Sequence, residues 1–356
     1  MVREAIADRQ LDGLLVSHLP NLRYLTGFTG SNGWLLLGID RVVIFTDGRY
    51  EQQVTEQVPA DLGAQFVVPR ERLLSELADR ALQEFTGAKI GFESQHISHS
   101  TWAKFHDEAD AVDWQPVTGL VESLRAVKDD AEVAAIQQAA QIAVRALGEV
   151  LPIVEPGMRD AELAAELDHR MVLAGAERPA FDTIVVSGPR TALPHASTGS
   201  RGLASGDLLL IDFGACWNGY SSDLTRTFVL GDPDDRQREV YAAVLEAQDA
   251  ACRALRAGVE AGAVDAAARG RFEKRGMADN FVHSTGHGLG LEVHEGPGLR
   301  REAEDRLEAG MVVTVEPGLY FPGWGGIRIE DDLLVTEGEA RRLVDLERDR
   351  LQALPL

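Results

Sequence analysis

Apolar residues in the first third of the chain come in short runs separated by turn residues. Leu14-Leu15-Val16, Trp34-Leu35-Leu36-Leu37 and Val42-Val43-Ile44-Phe45 are such runs, bounded by pairs like Asn32-Gly33 and Asp47-Gly48, and they predict strands. Residues 73–85 carry apolar side chains at helical spacing, and Ile90-Gly91-Phe92 begins another strand, so the region predicts an α/β unit. A polar, charge-rich segment at 121–130 leads into an Ala-rich stretch, 131–150, that predicts a long helix. The boundary is placed near residue 122, which divides the chain into 1–122 and 123–356. A second helix is predicted over 160–174, after the break at Pro156-Gly157. Beyond it, 183–186, 208–213, 311–316 and 327–335 predict strands, with helices at about 235–257 and 263–275.

Composition narrows the function classes. The chain has 356 residues, 45% hydrophobic and 26% charged, as in ordinary globular proteins. Lys and Arg number 35 against 57 Asp and Glu, a net charge of −22. Such a surface repels nucleic acid phosphates and anionic membranes, so neither is an expected partner. The same excess supplies hard oxygen ligands for cations. Cys216 and Cys252 are too few for a disulfide framework or a Cys-rich zinc site. Residues 1–10 show no apolar leader, and no run approaches the roughly 18 apolar residues of a membrane span. A cytoplasmic location is the resulting expectation.

Candidate chemistry begins at Ile211-Asp212-Phe213-Gly214, followed by Asn218-Gly219 and then Ser221-Ser222-Asp223. Asn-Gly between strand-like runs is a strong hairpin signal. With Asn218-Gly219 as the loop, Trp217 faces Tyr220 and Asp223 faces Gly214, which puts Asp212 and Asp223 on one face as diagonal neighbours. Taken alone, the pair is as compatible with a strand end and a solvated turn. A second unit echoes it: an apolar strand ends on Glu316 before Pro317-Gly318, and Gly325-Gly326 precedes Ile327-Arg328-Ile329-Glu330. His283 and His287 lie four apart among Gly286, Gly288 and Gly290, which excludes the helical HExxH zinc pattern and suggests close backbone approach. His294 follows, and His195 stands isolated, where by itself it carries no functional weight.

Four carboxylates in one pocket would repel by about 4 kcal/mol per pair at 4 Å and an effective dielectric near 20. Two divalent cations would neutralise them, and a neutral histidine adds a ligand without charge. An oxygen-rich set of this kind favours Mn²⁺, with Co²⁺ or Zn²⁺ compatible. Periodicity alone does not bring the four together.

In this order, Asp212, Asp223, His287, Glu316 and Glu330 resemble the ligand set of the pita-bread metallopeptidases, which include methionine aminopeptidases, aminopeptidase P and prolidase. The similar stretches are IDFGACWNGYSSDLTRTF from Ile211, HSTGHGLGLEVHEGP from His283 and TVEPGLYFPGWGGIRIEDD from Thr314. The likeness runs over roughly 125–345, with Leu124-Arg125-Ala126-Val127-Lys128 as the usual lead-in. It implies an α+β chain: a pita-bread catalytic domain preceded by a smaller creatinase/prolidase-type α/β domain, the extra domain of the proline-specific branch.

By this resemblance Asp212 would bind one metal ion through both oxygens, Asp223 and Glu330 would bridge two ions, and His287 and Glu316 would each complete one shell. The ions would lower the pKa of a shared water from near 16 towards about 7. Glu316 would take up its proton and pass it to the departing proline nitrogen. His294 and His195 would stabilise the oxyanion and orient substrate, and Phe181, His283, Tyr320 and Arg328 would line the substrate pocket. The implied activity is hydrolysis of Xaa-Pro bonds in di- or oligopeptides by a homodimer in which the amino-terminal domain caps the cleft. Several prolidases hold the proline carboxylate with an Arg shortly after the second pocket histidine. Here the residue four positions after His294 is Gly298, with Arg300 and Arg301 slightly later. Xaa-Pro dipeptidase and Xaa-Pro aminopeptidase therefore both stand, the compact length favouring the former. A metal-free creatinase-like enzyme conflicts with the intact ligand set. The same feature weighs against a non-catalytic peptide-binding module, and a two-metal phosphoesterase should show more basic phosphate clamps than Arg328 alone.

Overall fold

The structure, a computed structural model, describes residues 1–69 and 73–356. The chain divides into two compact units, Met1–Arg125 and Ala126–Leu356. In the first, a six-stranded sheet runs in the order Gln65–Val67, Val42–Thr46, Gly33–Gly38, Gly13–Val16, Lys89–Glu93 and Asp113–Val117. Its pairs are both parallel and antiparallel, and apolar clusters cover both faces, which explains the nearly continuous apolar runs. The polar, charge-rich segment at 121–130, to which the sequence assigns no element, begins within the helix Leu120–Ala126. Leu120 and Val121 anchor that helix by burying in the core of the first unit.

In the second unit, strand parity separates a helix-covered face from a functional one. The helices Asp130–Val150 and Asp160–Leu173 pack with Leu209, Ile211 and Phe213 of the strand Leu208–Phe213 and with Leu224, Phe228 and Leu230 of Leu224–Leu230. Asp212 and Thr225, paired across these strands, therefore point away from the helices. The helices Asp235–Ala254 and Ala261–Lys274 likewise pack with Val313 and Val315 and with Leu333 and Val335. Thr314 and Asp332, paired between Val312–Val315 and Asp331–Leu334, turn to the opposite side.

Both hairpins keep their register. Asn218 and Gly219 adopt φ of 48° and 75°, the left-handed pair of a type I′ turn, and Trp217 faces Tyr220 as expected. The same register continues to Phe213–Leu224 and Asp212–Thr225. Gly214 is required where the strands close up, since a Cβ there would lie 1.8 Å from the Ser222 carbonyl oxygen. In the second hairpin Val315 faces Asp331 and Gly318 faces Arg328. The single strand expected over 327–335 is broken there into Gly325–Arg328 and Asp331–Leu334. At the break Glu330 leaves its own hairpin to bridge Thr225 of the first.

Candidate metal centre

Strand pairing places the site's side chains in rows. Thr225 is paired with Asp212 on one side and bridges Glu330 on the other, so the three share a face. Thr225 Oγ1 donates to Glu330 Oε2 at 2.5 Å. Gly288 pairs with Val313, which sets the neighbouring His287 beside Thr314, whose hydroxyl accepts the His287 N–H at 3.2 Å. Asp332 Oδ2 accepts the Asp223 N–H at 3.1 Å.

These rows bring donor atoms of Asp223, His287 and Glu330 within 4.8 Å of one another. His287 Nε2 lies 3.6 Å from Asp223 Oδ2 and 3.6 Å from Glu316 Oε1. The opposite ring nitrogen, Nδ1, donates to the Gly288 carbonyl at 3.0 Å, so Nε2 presents its lone pair to the carboxylates. Burial holds the imidazole pKa down to about 4, so the ring is neutral at neutral pH. Asp212 pairs with Arg328 through Oδ2, while Oδ1 is buried with no hydrogen-bond partner.

Burial and mutual repulsion push these acids up. Asp223 and Glu330 sit well above the usual carboxylate range, first because they are desolvated and then because other carboxylates of the cluster face them. Glu316 is pushed up to about 7 by burial, against the pull of Arg328. Asp212 is raised by burial, again opposed by Arg328. Crowded acids, a neutral imidazole with its lone pair turned inward and an orphaned buried oxygen fit a divalent cation site: positive charge would satisfy all three at once.

The other expected residues surround this cluster. His294 packs on His287 with ring centroids 4.4 Å apart. The exposed His195 acts electrostatically on Asp212. Phe181 lies against Gly214. Tyr320 OH bonds His283 Nε2 at 2.9 Å and receives Arg328 Nη1 at 3.1 Å. Arg328 is buried and also donates to Thr225 Oγ1 and the Pro194 carbonyl, so its guanidinium braces the cluster from inside. Arg300 and Arg301 line a cavity of about 550 Å³ with His283, and Arg300 Cδ is 3.8 Å from where a side chain on Gly298 would begin. Thr225, Thr314 and Asp332 were not anticipated. Their signal was available, since each stands at an alternate position on a strand already carrying a candidate ligand.

Comparison with known proteins now gives the class. Residues 134–337 match the metallopeptidase family M24, and residues 1–127 match the creatinase/prolidase N-terminal domain. The chain belongs to metallopeptidase family M24, built on a pita-bread domain preceded by a creatinase-type domain. Among its relatives, an Xaa-Pro dipeptidase of Pyrococcus furiosus is 34% identical, with 97% of this chain and 96% of the relative aligned. The solved Xaa-Pro dipeptidase from Bacillus anthracis is 38% identical and superposes with a TM-score of 0.94 over 100% of this chain and 98% of that one. An X-Pro aminopeptidase from Thermotoga maritima is 33% identical, with a TM-score of 0.89 over 99% and 100% of the two chains.

Proposed function

We propose that this metallopeptidase is an Xaa-Pro dipeptidase working with two divalent cations, Mn²⁺ by preference. The carrying observation is the convergence of Asp223, His287 and Glu330 donor atoms within 4.8 Å, beside an Asp212 oxygen that nothing else satisfies. Asp212, Asp223, His287, Glu316 and Glu330 would hold the ions, whose charge would lower the pKa of water at the site towards about 7. Glu316 accepts a proton and delivers it to the proline nitrogen as that nitrogen departs. His294 and His195 hold the developing oxyanion and the substrate, and Phe181, His283 and Tyr320 wall the pocket.

An Xaa-Pro bond lacks an N–H and has a locked φ, so a peptidase that grips an extended strand rejects it, whereas a short rigid cleft accepts it. Dipeptide length is supported by the cationic wall of Arg300 and Arg301 beside His283, suited to a free carboxylate. The alternative, an Xaa-Pro aminopeptidase, is supported by Gly298, which leaves no side chain at that position, and by the likeness to the Thermotoga protein. The further reading is a cytoplasmic homodimer. Among the described residues no helix is long and apolar enough to cross a membrane. Turnover of Ala-Pro, Ala-Pro-Ala and a longer Xaa-Pro peptide under Mn²⁺ separates the two activities. The dipeptidase cleaves Ala-Pro alone, and equal or faster cleavage of the longer peptides would assign the aminopeptidase instead.

A further inference from the structure

Arg226 projects from the strand Leu224–Leu230 away from the ligand-bearing face and is 2% exposed. A guanidinium has five N–H donors, and here every one has an acceptor. Nε donates to the Glu347 carbonyl at 3.0 Å. Nη1 donates to the carbonyls of Thr225 at 2.9 Å and Glu330 at 2.6 Å. Nη2 donates to Asp331 Oδ1 at 2.6 Å and the Leu346 carbonyl at 2.8 Å. The other oxygen of Asp331 receives Gln248 Nε2 and Arg342 Nε, and against the effect of burial the charges of Arg226, Arg342 and Arg348 keep its carboxyl below the usual range.

A buried ion pair is weak evidence for stability, because removing both charges from water costs about what their attraction returns. Its geometry is more informative. One nitrogen of Arg226 holds the backbone carbonyls of Thr225 and Glu330 together, at the point where the two hairpins meet through an isolated bridge. On the other side of the same residues, the Thr225 hydroxyl aims the Glu330 carboxylate. The spacing of the two backbones therefore sets where Glu330 stands relative to Asp212 and Asp223.

We propose that Arg226, held by Asp331, is a positioning residue of the metal centre: it fixes the junction that presents Glu330 to the cations. The proposal rests on the reading of Glu330 as a metal ligand. Outer-layer partners of this kind cost 10–100-fold in metal affinity or activity when changed.

The test titrates metal-free full-length protein with MnCl₂, followed by the electron paramagnetic resonance of free Mn²⁺, for the parent and for Arg226→Lys and Asp331→Asn. Arg226→Lys keeps the charge and loses the two-carbonyl grip. The expected result is Mn²⁺ affinity lowered roughly 10–100-fold, with kcat on Ala-Pro reduced and KM within about twofold of the parent. Affinity within twofold of the parent, even with a lower Tm, would overturn the proposal and leave Arg226 a plain stability residue. If Arg226→Lys proves insoluble, Asp331→Asn decides by the same criterion. A parent that binds no Mn²⁺ would instead defeat the metal-centre reading itself.

Discussion

His287 Nε2 faces Asp223 Oδ2 at 3.6 Å, and the ring offers that carboxyl no proton of its own, because its only N–H is engaged by the Gly288 carbonyl. The contact is favourable with the Asp223 carboxyl protonated, as its raised pKa provides in the metal-free protein, or with a cation between the two groups.

Asp223→Asn and Glu330→Gln each keep the side-chain shape and remove a charge that the proposed cations would require. Hydrolysis should fall at least about 10³-fold, with metal content reduced by elemental analysis of protein purified without chelator. Activity close to the parent in either variant would remove that residue from the ligand set.

The metal-free protein should lose stability as pH rises above the histidine range. Glu316 has a folded pKa of about 7 against an ordinary 4.5, so its contribution is full below 4.5 and is lost as pH rises through 7. Asp223 and Glu330, raised further, act in the same sense. His283 and His287, held down to about 4 from 6.5, act oppositely, but their contribution is complete above about 6.5. Between pH 6.5 and 8.5 the Tm of chelator-treated protein should therefore drop by roughly 5 °C, while that of Mn²⁺-saturated protein stays level. A level profile without metal would show that the acids do not crowd one another in solution.

His294→Ala and His195→Ala should reduce kcat on Ala-Pro by roughly 10²-fold and leave Mn²⁺ affinity unchanged, because neither is assigned as a ligand. Isothermal titration beside steady-state kinetics separates the two quantities. Loss of metal in His294→Ala would mean that its ring, 4.4 Å from that of His287, instead orients the ligand.

Gly214→Ala tests the hairpin without touching a charged group. The new methyl would stand 1.8 Å from the Ser222 carbonyl oxygen, so the strands must part near Asp223. Chemical denaturation should show a loss of about 3 kcal/mol, at the upper end of overpacking costs, together with weaker Mn²⁺ binding.

Much of the pairing in the two hairpins that carry the candidate ligands was legible because it is written locally. Asn218-Gly219 specifies a two-residue turn through its left-handed backbone, and alternation then carries Asp212 and Asp223 to one face. The break after Arg328 was not legible. Ile327 to Val335 alternates like one strand, and only a partner 105 positions away, Thr225, draws Glu330 out of it. Nor did the charge-rich stretch near residue 122 reveal the helix Leu120–Ala126, whose few apolar side chains are held by the core of the first unit.

The chain by itself determined its strands, its turns and which side chains share each strand face, since these depend on chemistry between near neighbours. Only the tertiary structure decided that the two acidic hairpins meet, that His287 turns its lone pair inward and that Arg226 clamps the junction. Those relationships arise when helix pairs bury one face of each sheet, and the energy of that burial is shared among residues a hundred positions apart.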